Sequence, residues 1–135
     1  MKVTCKKCYK DYCIFVNKRQ AGKVAERNAV LYLKSRGYKI LHTNWTCYAG
    51  EIDIIAFKGK LVFVEVKSAF SGLCSPCELF NSRKKRNLSR SIKNFLIVNY
   101  SNSNKFPEWQ VDLICLELVG AKILFSHYEN VIETL

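Results

Sequence analysis

The sequence predicts one α/β or α+β domain, a sheet with helices packed on it, and three observations carry that expectation. Apolar residues recur at helical spacing in two segments, around Ala25 and around Ile92. Five other segments are rich in β-branched and aromatic residues or alternate between apolar and polar. The length of 135 residues, with 49% apolar and 24% charged, suits a single core that buries roughly two-thirds of the unfolded surface.

The elements follow in chain order. Residues 1–19 form a basic, cysteine-containing extension, and residues 20–135 form the domain. Ala21, Ala25, Ala29 and Leu33 repeat every four residues and predict a helix over 20–36, with Gly37 as its stop. Tyr38–Trp45 and Cys47–Phe57 read as strands, and Lys58-Gly59-Lys60 is a turn before the strand Leu61–Lys67. Ser75-Pro76-Cys77-Glu78 has the capping-box pattern and predicts the start of a second helix, which carries the stripe Leu88, Ile92, Phe95 and Leu96 to about Tyr100. Trp109–Leu118 and Lys122–Tyr128 complete the strands.

Lys plus Arg number 22 against 11 Asp plus Glu, a net charge of +11, which points to an anionic partner, nucleic acid ahead of a membrane surface. No run approaches the length of a membrane span, and lysines interrupt the first twenty residues where a signal peptide would be apolar. A cytoplasmic protein is expected. The basic charge concentrates between Leu79 and Pro107, where no acidic residue occurs. Arg83, Lys84, Lys85, Arg86, Arg90 and Lys93 fall on the second helix and suit sequence-independent contact with phosphates; the competing reading is a solvated helix face. Trp45, Trp109 and Phe106 suit packing better than base stacking.

Seven cysteines make an odd count, which argues against a complete disulfide framework. Cys5-Lys6-Lys7-Cys8 and Cys74-Ser75-Pro76-Cys77 each have the bite of half a zinc site, but their separation is long for a compact one. They are read as reduced thiols rather than zinc ligands.

The middle of the chain carries the chemistry. Side chains two apart on a strand share a face, so Glu51 goes with Asp53 and Glu65 with Lys67, opposite Ile52, Ile54, Val62, Val64 and Val66. A hairpin around Lys58–Lys60 brings Asp53 and Glu65 together. Two carboxylates ~4 Å apart repel by about 4 kcal/mol at an effective dielectric near 20. A divalent cation with hard oxygen ligands offsets that, and Lys67 can orient a water, which are the parts of a metal-assisted phosphodiester hydrolase. The alternative is a cross-strand ion-pair ladder on a solvated face. Glu51 reads as a supporting group or the charged end of a strand. Glu26 lies in line with the apolar face of the first helix, either in the same site or paired with Lys23 or Arg27.

Asp53, eleven intervening residues and Glu65-Val66-Lys67 resemble the PD-(D/E)xK nuclease signature of the restriction-endonuclease-like fold. More narrowly, the chain resembles the YraN-like family of bacterial predicted endonucleases, which is similar to archaeal Holliday junction resolvases. The matching stretches are Gly22–Glu26, Asn44, Gly50–Ala56 and Val62–Lys67, with a weaker match at Lys84–Leu88 and Val111-Asp112. The resemblance implies an α/β fold with a mixed central sheet flanked by helices. It implies magnesium or manganese held by Asp53 and Glu65, with Glu26 contributing, and Lys67 positioning water. It implies an endonuclease acting on DNA, with branched or structured DNA as the candidate substrate, and leaves a homodimer open. Ser68-Ala69-Phe70 and Gln110 stand where the family pattern has arginine-containing sequence. A non-catalytic nucleic-acid-binding module of the same fold, and a zinc-stabilised interaction protein, are the alternatives.

Overall fold

A computed structural model of the chain describes residues 2–10, 18–70, 80–119 and 122–132. In order, the elements are β1 (Lys2–Lys10), α1 (Lys18–Ser35), β2 (Lys39–Cys47), β3 (Gly50–Phe57), β4 (Leu61–Phe70), α2 (Ser82–Tyr100), β5 (Trp109–Val119) and β6 (Lys122–Glu129). The strands form one sheet in the order β1-β6-β5-β4-β3-β2. Only β4 and β5 run parallel, and α2 lies in the connection between them, as a parallel pair requires. The result is the expected mixed sheet flanked by helices.

Local chemistry sets the element ends. α1 stops where Gly37 takes φ +85, with Gly37 N–H donating to Lys34 O and Tyr38 N–H to Leu33 O, the paired bonds of a glycine helix end. α2 starts at Ser82 because the Asn81 side chain accepts from Lys84 N–H at 3.1 Å. This corrects the start of the stripe-bearing helix, since Phe80 and Asn81 precede it; the Ser75–Glu78 tetrapeptide itself lies outside the described residues. The basic N-terminal stretch contributes β1, which pairs antiparallel with β6 from Lys2↔Glu129 to Lys10↔Lys122. A lysine-rich strand suits a sheet edge, where charge discourages pairing with other chains.

Each helix covers one sheet face. Ala25, Ala29, Tyr32 and Leu33 of α1 pack on Ile54, Val62, Val64 and Ile114. Leu88, Ile92, Phe95 and Leu96 of α2 pack on Ile55, Leu61, Phe63, Val111 and Leu113. β4 alternates cleanly between the two clusters. β3 does not: Ile52 belongs to the α2 cluster and Ile54 to the α1 cluster, although both were expected on one side. The alternation breaks at Asp53. Opposite it in the register, Asn44 of β2 has the left-handed φ of +51, and the β3–β4 ladder begins only at Ile54↔Val64. Trp45 and Trp109 pack against the α2 cluster as expected, whereas Phe106 is exposed.

Beneath α1 a buried polar chain joins helix to sheet. Tyr32 OH lies 3.2 Å from His127 Nδ1, and His127 Nε2 lies 2.7 Å from Asp112 Oδ2. Asp112 Oδ1 also accepts from Gln110 Nε2 at 2.8 Å and from Asn130 N–H at 3.0 Å. Asp112 is fully buried, so its oxygens have no water to fall back on. Asp112→Ala leaves these donors without their acceptor, and is expected to lower unfolding stability by about 3–5 kcal/mol in a denaturant titration with an unchanged m-value. A loss under ~1 kcal/mol would contradict a load borne by this network.

Candidate active site

The break in β3 and β2 places charged side chains from both layers at one end of the sheet. Asp53 stands where the β3–β4 ladder stops, and its Oδ2 accepts from Val66 N–H at 2.8 Å. A carboxylate thus takes the place of a strand carbonyl and holds the two strands together at their parting. Asn44 faces it from β2, and its left-handed backbone suits asparagine better than most residues. With the amide nitrogen turned to the acids, Asn44 donates to Glu51 Oε1 at 2.7 Å and to Glu26 Oε2 at 2.8 Å. Glu26 enters from α1, one residue after the buried Ala25.

Glu26, Glu51 and Asp53 each offer a carboxylate oxygen, and these oxygens lie within 4.8 Å of one another. Such proximity raises the proton affinity of the group. Burial, then repulsion from Glu65 and Glu26, pushes Asp53 up to about 8 despite the Val66 N–H and Lys67. Burial and Glu51 raise Glu26, against the Asn44 hydrogen bond. Glu65 is not one of this trio; it pairs with Lys67, Nζ to Oε1 at 2.8 Å. Burial works against the Lys67 charge, but Glu65 outweighs it and the lysine is held above its ordinary range. Lys67 is therefore an ammonium, a hydrogen-bond donor rather than a base.

On the α2 side the site opens into a cleft of about 230 Å³, lined by Glu51, Glu65, Lys67, Lys84 and Ser91 among others. Gly50 takes φ +142, a conformation that L side chains rarely adopt, where the β2–β3 hairpin comes beside Ser91 of α2. On the α1 side a cavity of about 340 Å³ is lined by Lys23, Glu26, Arg27 and Asn44. The acids sit between the two.

The structure therefore brings Glu26, Asp53, Glu65 and Lys67 to one place. The α2 basic residues divide by their position around the helix. Lys84 turns into the cleft, and Lys85 lies over the Phe80 ring at 5.6 Å. Arg83, Arg86, Arg90 and Lys93 are exposed, and their spacing places them together along one side of the helix. Asn44 stood only among the matching stretches, with no role assigned, and Glu51 was read as a supporting group or a strand end. Asparagine in mid-strand, a residue type depleted in strands, was the available signal. Cys74 and Cys77 lie outside the described residues, as do the side chains of Cys5 and Cys8; Cys47 is a free thiol and Cys115 is buried.

Residues 25–119 match the model of uncharacterised protein family UPF0102. The chain belongs to this family. It is the YraN-like family that the motifs resemble. The matched span contains the acids, Asn44 and both cleft lysines. UPF0102 proteins of similar sequence include one from Caldanaerobacter subterraneus subsp. tengcongensis, 47% identical over 124 residues, covering 87% of this chain and 96% of the relative. Another, from Carboxydothermus hydrogenoformans, is 35% identical over 120 residues, covering 87% of this chain and 99% of the relative. A third, from Fervidobacterium nodosum, is 40% identical over 110 residues, covering 81% and 79%. Among the described residues of this UPF0102 chain, no helix is long and apolar enough to cross a membrane.

The donor set fits a hard divalent cation. All the candidate ligands are carboxylate oxygens, the cluster carries mutual repulsion that a cation would relieve, and two open cavities leave room for water.

Proposed function

We propose that this chain is a metal-dependent endonuclease that hydrolyses phosphodiester bonds in DNA, with branched or structured DNA as its substrate. The observation that carries this reading is the meeting of Glu26, Glu51 and Asp53 at the parting of β3 and β4, beside the ion-paired Lys67 and Glu65.

Asp53, Glu65 and Glu26 would hold magnesium or manganese, and Glu51 joins them through its place in the acid cluster. When bound, the ion supplies positive charge that relieves the carboxylate repulsion and polarises the substrate phosphate. Asp53 keeps its place through Val66 N–H, and Asn44 keeps Glu26 and Glu51 aligned. Lys67 donates a hydrogen bond that orients the attacking water, and Glu65 fixes the lysine. In the reaction the water oxygen bonds to phosphorus and loses a proton to solvent. One ester P–O bond breaks with its electron pair on the leaving oxygen, which takes up a proton. The exposed arginines of α2 grip neighbouring phosphates, contacts that position the duplex without reading its sequence.

The test is cleavage of linear, nicked, flapped and four-way DNA in magnesium or manganese by the wild type and an Asp53→Ala, Glu65→Ala double variant. Cutting by the wild type that needs metal, and is lost in the variant, is expected. Tight, salt-sensitive DNA binding by both proteins with no cutting would overturn the reading in favour of a non-catalytic binding module.

A further inference from the structure

Lys84 stands apart from the other basic residues of α2. It sits in the first turn of the helix, and its backbone N–H is fixed by the Asn81 side chain at 3.1 Å. At helical pitch Lys84, Asn87, Leu88 and Ser91 fall on one side, and all four line the 230 Å³ cleft with Glu51, Glu65 and Lys67. Lys84 and Lys67 line the same cleft, close enough for their charges to repel. Lys67 is itself bound to Glu65 at 2.8 Å.

The two lysines thus differ in what balances them. Lys67 has a carboxylate of its own. Among the described residues, Lys84 makes no ion pair; in the cleft it faces the Lys67 ammonium and, at longer range, the carboxylates of Glu65 and Asp53. Like charges side by side repel, and a cleft that holds an unpaired cation against a paired one is completed by an anion. The cleft opens beside the acid cluster, so an anion that satisfies Lys84 also lies against the carboxylates. A phosphodiester meets both conditions, because one non-bridging oxygen can face Lys84 while another faces a cation held by the acids.

We infer that Lys84 contacts a non-bridging oxygen of the phosphodiester that is cut, so that the cleft works with two lysines of separate duties. Lys67 stays with Glu65 and orients water, while Lys84 holds the phosphate and stabilises the negative charge that grows on it. The inference rests on the nuclease reading and refines it: Lys84 belongs to the reacting centre rather than to the outer grip of Arg83, Arg86 and Arg90.

The experiment measures steady-state cleavage of the best substrate of the DNA panel in magnesium by wild type, Lys84→Gln and Lys84→Arg. The expected result is a fall of about 100-fold in kcat for Lys84→Gln with KM within about threefold of wild type, and partial recovery in Lys84→Arg. A merely structural role would not give that split or that rescue. In parallel, wild type is acetylated with a soluble N-hydroxysuccinimide ester, with and without a phosphorothioate 12-mer in calcium, and each lysine is read by mass spectrometry. Lys84 is expected to be protected by the oligonucleotide while the exposed Lys39 stays reactive. Wild-type kcat in Lys84→Gln would overturn the inference and leave the nuclease reading standing. If the wild type cuts nothing, the nuclease reading fails, and acetylation alone decides the phosphate contact: protection supports it and an unprotected Lys84 overturns it.

Discussion

Lys67→Ala is expected to bind DNA with nearly wild-type affinity and to cut it about 10²–10³-fold more slowly, because the lysine acts on the reacting water rather than on the substrate's bulk charge. On the proposed reading the affinity resides in residues along α2, of which Arg83, Arg86 and Arg90 lie outside the cleft, so the loss of one cleft ammonium removes little of it. The loss of rate has two sources. The donor that orients the water disappears, and Glu65 loses the partner that holds it at 2.8 Å. Single-turnover cleavage in magnesium and fluorescence anisotropy with calcium separate the two quantities. Lys67→Arg should not rescue, since a planar fork cannot reproduce a compact ammonium paired with Glu65 in a cleft shared with Lys84. A cleavage rate within threefold of wild type for Lys67→Ala would remove this residue from the mechanism.

The parts of the molecule governed by simple periodicity were legible in the sequence. The four-residue repeat of Ala21, Ala25, Ala29 and Leu33 gave α1, Gly37 gave its end, and β4 keeps the strict alternation of Val62, Val64 and Val66 against Leu61 and Phe63. What escaped follows from contacts between segments distant in the chain. The left-handed φ of Asn44 suits asparagine but is not dictated by the strand pattern, and its amide bridges Glu26 and Glu51 from other segments. Once Asn44 and Asp53 break the alternation, Ile52 turns toward α2 while Ile54 stays under α1, a change of face that a period-two pattern cannot express. The same break brings Glu51 beside Glu26, so the residue read as a supporting group or a strand end joins the acid cluster. β1 escaped because an edge strand needs no apolar face; its partner β6 supplies the backbone pairing. Local consistency fails most clearly where the candidate site lies, the usual mark of a functional region.

That inconsistency has a thermodynamic consequence, which Asp53→Asn exposes. In the unfolded chain Asp53 titrates near 3.8, and in the folded chain it is pushed up to about 8, by burial first and then by Glu65 and Glu26. Between those values the folded state binds more protons than the unfolded one, so this group makes stability fall as pH rises, the reverse of the usual carboxylate. Below pH 4 the contribution vanishes, and above 8 the whole destabilisation is present. Asparagine keeps an oxygen to accept from Val66 N–H and carries no charge to repel Glu26 and Glu65. In the presence of a chelator, Asp53→Asn should therefore match wild type in Tm at pH 4–5 and exceed it at pH 9 by about 5–10 °C, equivalent to ~2 kcal/mol once the proton is shared among neighbouring acids. Adding magnesium should then raise the wild-type Tm at pH 8 and leave the variant unmoved, because ligand binding stabilises only the chain that can hold it. A variant less stable than wild type at pH 9 without metal would mean that the Asp53 charge is already compensated in the folded chain, and the physical case for a cation at this cluster would be lost.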